Sequence, residues 1–291
     1  MMEIHVVPND IGPFVRRVVF DTTMEFGFYY EAKMKLPFAE EERYVRVWLP
    51  PTYDFVHPKK HPVMYMSDGQ NLVDKFLTKY GDWHLDRVMD KLRKRGYEEA
   101  IMVGIDSHPD PLQRSNELNP PYPIRRKYVK RGGPTTPIGN LFLDYIAREL
   151  KPLIDSLFST NPSREATGIG GSSMGGIMAF YGFLRYGATF GFSLAFSVPF
   201  FFYSKRDLRR ILKIYRPDPA QSSKIFFFVG GKDFEGDFTK GVFYMNRLLQ
   251  KKYRFGPDHL RMVYDPDAIH HEEWWSTYAF DALEFWFRGL K

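Results

Sequence analysis

The residues best placed to do chemistry are Gly171-Ser172-Ser173-Met174-Gly175. A serine spaced this way between glycines sits on a sharp turn between a strand and a helix. Gly171 and Gly175 must be small because the backbone folds back on itself there. The turn exposes the Ser173 hydroxyl. It also aims the Met174 N–H and the amino end of the next helix at the same point. A negatively charged oxygen forming near Ser173 would meet donors and a favourable dipole. The motif also arises in glycine-rich loops, so its surroundings matter. A short run of apolar and small residues precedes it, and Ile177, Phe180, Tyr181 and Leu184 follow at helical spacing.

A serine nucleophile needs a base, and the base needs a group to orient it. On strand-turn-helix scaffolds of this kind the chain order is serine, acid, histidine. Asp233 is the expected acid, on the turn after the apolar run Phe226–Val229. An aspartate in a turn often only caps its own backbone. Glu235 and Asp237 are weaker alternatives because they lie deeper in the start of the following helix. His270 is the expected base, with His271 beside it, in the loop after the last strand; His259 precedes that strand. His270, His271, Glu272, Glu273 and Asp267 lack the His-Glu-x-x-His spacing, so no metal is expected. No cofactor is expected either. A second oxyanion donor should come from the loop after Pro62–Met66. Gly69 allows close backbone approach there, which makes the Gln70 N–H the candidate.

The elements that must position these groups follow from hydrophobic pattern. Phe14–Phe20, Gly27–Glu31 and Tyr44–Leu49 predict strands at an antiparallel edge. Short apolar runs at Pro62–Met66 and Ala100–Ile105 predict strands buried on both faces, hence a parallel sheet, and Phe192–Val198, Lys224–Val229 and Leu260–Tyr264 predict its further strands. Helical spacing predicts helices over Trp83–Arg95, Leu143–Leu157, from Phe238 to Leu249, and from about Glu272 to the end. The strand–helix alternation implies right-handed crossovers in one α/β domain spanning 1–291. Within it, 1–60 is β-rich, and the proline-rich, aperiodic stretch 107–140 reads as a lid-like binding loop.

Composition sets the outer bounds. The 291 residues are 44% hydrophobic and 17% aromatic, enough to bury a full core. There is no cysteine, which excludes disulfides, thiolate metal sites and a cysteine nucleophile, and fits a reducing, cytoplasmic compartment. Met1–Val6 shows no leader pattern, and no apolar run approaches a membrane span, so no membrane partner is expected. The net charge of +6 reads as a solvated basic surface; no nucleic-acid-binding pattern accompanies it.

At several separated stations the chain resembles the esterase family of α/β-hydrolases that includes esterase D-like, feruloyl and siderophore esterases. Pro62-Val-Met-Tyr-Met-Ser-Asp-Gly-Gln-Asn71 resembles the family's strand and Asp-Gly-Gln-Asn turn. Val103–Asp106 with Arg114-Ser-Asn-Glu117 and Pro120 resembles its next strand and Arg-x-x-Glu loop. Phe142–Pro152 is similar to the helix before the elbow, and Gly171–Gly176 to the elbow. His270, Glu272 and Trp275 fit a His-x-Glu-x-x-Trp ending. The resemblance runs from about Arg46 to Phe287. It implies an α/β-hydrolase fold: a mostly parallel central sheet flanked by helices, with antiparallel N-terminal strands. It implies Ser173, Asp233 and His270 as the triad, with Arg114, Glu117 and Trp275 expected on the substrate side. His271 is left without a role. Ala268-Ile269 stands where the family often has glycines.

The expected function is a serine carboxylesterase acting on a small-molecule ester through an acyl-enzyme. An acyltransferase on the same scaffold, or an inactive binding protein, are the alternatives. The basic run Arg125-Arg126-Lys127, with Lys130, Arg131 and Arg114, raises a further expectation of preference for acidic or phenolic acyl groups; a solvated charge run is its bland counterpart. Oligomeric state and physiological substrate are not legible.

Overall fold

The computed structural model describes residues 7–221 and 223–290. Met1–Val6, where no leader was expected, lies outside the described residues. Among the described residues one sheet of ten strands runs in the order β1-β2-β3-β4-β6-β5-β7-β8-β9-β10. The strands are β1 (Asp10–Ile11), β2 (Phe14–Arg16), β3 (Phe28–Lys35), β4 (Glu42–Leu49), β5 (Val63–Ser67), β6 (Ile101–Ile105), β7 (Thr167–Ser172), β8 (Phe192–Phe196), β9 (Lys224–Gly230) and β10 (Leu260–Asp265). The first four pair antiparallel, and β4 joins β6 antiparallel. From β6 through β10 every pairing is parallel.

The inner parallel strands β5, β6, β8 and β9 are largely apolar and buried on both faces because both faces are covered, whereas β10, at the edge of the sheet, is mostly half-buried. On β5, Val63 and Tyr65 enter one core while Met64 and Met66 enter the other; on β9, Ile225, Phe227 and Val229 oppose Phe226 and Phe228. Side chains alternate with period two, so an unbroken apolar run feeds two cores at once. One face is covered by α4 (Gly139–Tyr145), α5 (Lys151–Leu157), α6 (Met174–Arg185), α7 (Lys205–Tyr215) and α8 (Gly236–Tyr253). The other is covered by α1 (Leu85–Lys94) and α9 (Glu272–Phe287). No helix among the described residues is long and apolar enough to cross a membrane.

The structure differs from the expected elements in four places. The expected strand Phe14–Phe20 pairs only as far as Arg16, with one more bond from the Arg17 N–H to the Tyr29 carbonyl. Beyond it Arg17 reaches Asp74 at 2.8 Å, the chain leaves the sheet, and Phe20 stands in solvent. The expected helix Leu143–Leu157 is interrupted by a π-turn at Ile146–Leu150, where the Lys151 N–H reaches the Ile146 carbonyl. Pro152, next in line, has no N–H to restore the α pattern. Helix α7 lies outside the expected elements. Its signals were Ser204 followed by Asp207, a capping pair, and Leu208, Ile211 and Leu212 on one face. The stretch 107–140 also carries two short helices, α2 (Pro111–Glu117) and α3 (Arg126–Val129).

Candidate active site

The strand order places the site. The chain passes from β5 to β6 on one side, then to β7 on the other. Connections leaving β5 and β7 therefore diverge, and a crevice opens beyond the carboxyl ends of these strands. The turn after β5 and the turn after β7 form its walls. The cleft measures about 580 Å³, within the range of roughly 300–1,000 Å³ usual for small-molecule sites. Ser173, His270, Gln70, Asn71, Arg114, Glu272 and Trp275 all line it.

Ser173 lies between β7 and α6, capping the helix, with φ 55° and ψ −120°, a conformation that costs a non-glycine residue energy. Its N–H donates to the Phe196 carbonyl at 2.9 Å, which anchors the corner to β8. A Cβ on Gly171 would lie 2.7 Å from the Gly175 carbonyl carbon and 2.7 Å from Ser67 Oγ. The corner closes only because glycine stands there. Met174 opens α6, so its N–H belongs to the first turn, where amides have no intrahelical acceptor.

The facing turn begins with Asp68 in the left-handed region, at φ 56° and ψ 50°. A Cβ on Gly69 would lie 2.6 Å from the Gly104 carbonyl carbon, so glycine lets the turn press against β6. The Gln70 side chain ties the turn down: its amide donates to Ser107 Oγ at 3.0 Å, and its oxygen accepts from the Ser107 N–H at 3.2 Å. Arg114 grips Asp68 with both arms, at 2.6 and 2.7 Å.

His270 lies in the loop after β10, packed among Phe234, Phe238 and Trp275 with ring centroids 4.7–5.0 Å away. Its Nδ1 lies 2.6 Å from Glu235 Oε1. The Glu235 side chain is fully buried, and its second oxygen has no other partner. Glu235, not Asp233, therefore meets the histidine. Asp233 occupies the left-handed region at φ 57° and is exposed. The chain makes a single 3₁₀ turn over Asp233–Glu235, which turns the first acid outward and the second inward. Asp237 is elsewhere, accepting from the Tyr128 hydroxyl at 3.4 Å.

Other expected residues divide. Trp275 lines the cleft, packs edge-on against His270, and donates its indole N–H to Ser197 Oγ at 3.2 Å. Arg114 lines the cleft too, with its guanidinium occupied by Asp68. Glu117 is buried outside the cleft, 3.4 Å from Arg43 on β4. A buried carboxylate needs such a partner, and it is not free to bind substrate. His271 caps α9, its Nδ1 accepting from the Glu273 N–H at 3.3 Å. His259 lies before β10, its Nδ1 3.0 Å from the Ser223 carbonyl. The basic run 125–131 does not line the cleft; Arg125 instead braces the backbone of Phe201 and Phe202.

Three residues of the site carry more than the sequence assigns them. Glu235 was ranked below Asp233. Asn71 and Glu272, although inside the recognised motifs, were given no task. Asn71 Nδ2 donates to Glu272 Oε1 at 3.1 Å. Burial pushes the Glu272 carboxyl up to about 7; Asp68 adds to the shift, while Arg114 and Asn71 oppose it.

Sheet order, elbow and crevice together define an α/β-hydrolase fold. Residues 38–285 match the model of the family described as Putative esterase, and the chain belongs to that family of ester-hydrolysing enzymes. It is 22% identical over 252 residues to the uncharacterized protein YbbA of Bacillus subtilis, covering 84% of this chain and 91% of YbbA. An IroE-like serine hydrolase from Shewanella oneidensis is similar in structure, with TM-score 0.68 and 20% identity over 91% of this chain and 80% of that one. The feruloyl esterase module from Clostridium thermocellum complexed with sinapinate gives TM-score 0.67 and 17% identity, over 91% and 90% of the two chains.

Proposed function

We propose that this protein is a serine carboxylesterase whose triad is Ser173, His270 and Glu235. The observation that carries the reading is the strained Ser173 corner in one cleft with His270, whose Nδ1 is held by a fully buried carboxylate. Ser173 Oγ attacks the ester carbonyl and passes its proton to His270 Nε2. Glu235 holds the proton on Nδ1 and stabilises the imidazolium. The developing oxyanion meets the N–H groups of Met174 and Gln70. Collapse breaks the carbon–oxygen bond, and the leaving alcohol takes the proton from His270. Water then enters, gives its proton to His270, attacks the acyl-enzyme, and the acid leaves as the proton returns to Ser173. The esterase names of its structural relatives support an ester substrate, and the cleft volume suits a small molecule.

A p-nitrophenyl ester series from acetate to longer acyl chains tests the reading. Wild type hydrolyses the short members and Ser173→Ala does not. Equal rates from the two proteins would remove Ser173 from the mechanism.

A further inference from the structure

The oxyanion turn and the histidine loop lie at opposite ends of the chain, yet one hydrogen bond joins them across 201 residues. Asn71 closes the turn. Its N–H donates to the Asp68 carbonyl at 2.9 Å, its carbonyl accepts from the Trp83 N–H at 2.8 Å, and its side chain reaches Glu272. Glu272 is the first residue of α9, two positions past His270. One turn further along, Trp275 packs on His270 at 5.0 Å and lies 6.0 Å from the Trp83 ring. Asn71, Trp83, Trp275 and Glu272 thus close a ring, with the turn bearing the Gln70 N–H on one side and the base on the other. Asn71 and Glu272 are both buried, and both line the cleft. Neither gives or takes a proton in the proposed hydrolysis.

We propose that Asn71 and Glu272 are positioning residues, whose hydrogen bond fixes the oxyanion turn relative to His270 so that the two halves of the site hold one geometry. The inference rests on the esterase reading. Burial pushes the Glu272 carboxyl up to about 7, so below that pH it accepts from Asn71 in its neutral form, without placing a second negative charge beside the developing oxyanion. The geometry matters because a shift of about 1 Å at a reacting group can cost about 10²-fold in rate.

The test uses Asn71→Ala, Glu272→Ala, Glu272→Gln and the double alanine variant. It measures kcat and KM for p-nitrophenyl acetate and the rate at which a fluorophosphonate labels Ser173. Each alanine variant is expected to lose roughly 10–100-fold in kcat and in labelling rate while KM stays within about 3-fold. Glu272→Gln keeps an oxygen that accepts from Asn71 and is expected to recover most of kcat. The double variant should lose no more than either single, because both remove one interaction. Full kcat in either alanine variant would overturn the proposal. So would additive losses in the double variant, or a Glu272→Gln enzyme as impaired as Glu272→Ala. A wild type that labels beside variants that label equally fast defeats this inference alone. A wild type inert to both ester and probe defeats the esterase reading and this one with it.

Discussion

Glu235 Oε1 lies 2.6 Å from His270 Nδ1, while Asp233, two residues earlier in the same turn, faces solvent. The difference between the two acids is one of burial and aim, and it separates their expected effects. Glu235→Gln should lower kcat by about 10²–10⁴-fold, because the histidine loses the anion that fixes its tautomer. Asp233→Ala should leave kcat at the wild-type value. The reverse pattern in steady-state kinetics would return the acid to Asp233.

The choice between these acids shows where the sequence stops being informative. Continuous apolar runs at β5, β6, β8 and β9 announce a buried parallel sheet, and the glycines around Ser173 announce the elbow. These signals are local, set by period and by steric need. Which of two carboxylates in one 3₁₀ turn points inward depends on a few backbone dihedrals, which the residue types in the turn do not specify. Glu117 failed for a related reason: its motif was visible, but its partner Arg43 lies 74 positions away. Helix α7 is also written locally, in the Ser204 cap and the spacing of Leu208, Ile211 and Leu212.

Arg114 offers a second separation. Its guanidinium holds Asp68, whose side chain is only 9% exposed. Arg114→Ala leaves that carboxylate near-buried and unpaired, and should destabilise the fold by about 1–3 kcal/mol, a figure reduced because the arginine itself is partly exposed. Arg114→Lys supplies charge without the two-armed grip and should recover only part of the loss. Denaturant unfolding measures both. Unchanged stability with a KM raised for anionic esters alone would make Arg114 a substrate ligand instead.

Glu272 predicts a pH dependence of stability. Its carboxyl is pushed up to about 7 in the folded protein, whereas an exposed glutamate titrates near 4.3. Between these values the native state holds a proton that the unfolded chain releases. The group's contribution is therefore complete below the lower value and is lost as pH rises through the upper one, by at most ~4 kcal/mol. Asp68, Arg114, Asn71 and His271 are the polar groups around it. The thermal midpoint of Glu272→Gln should gain on that of wild type as pH rises from about 4.5 to 7.5. A gap constant across that range would contradict the shift.

The elbow admits no side chain at Gly171, where a Cβ would meet the Gly175 backbone and the Ser67 hydroxyl. Gly171→Ala should cost about 1–3 kcal/mol through overpacking and reduce activity by moving Ser173. Thermal unfolding and ester hydrolysis measured together check this. A stable, fully active variant would show that the corner has room to relax.

The central claim is that Ser173 is a nucleophile activated by His270. Intact-mass measurement after fluorophosphonate treatment, followed by peptide mapping, addresses it most directly. One adduct on Ser173 in wild type, absent in Ser173→Ala and much slower in His270→Ala, is the predicted result. No adduct on wild type, or an adduct that survives in Ser173→Ala, would contradict it.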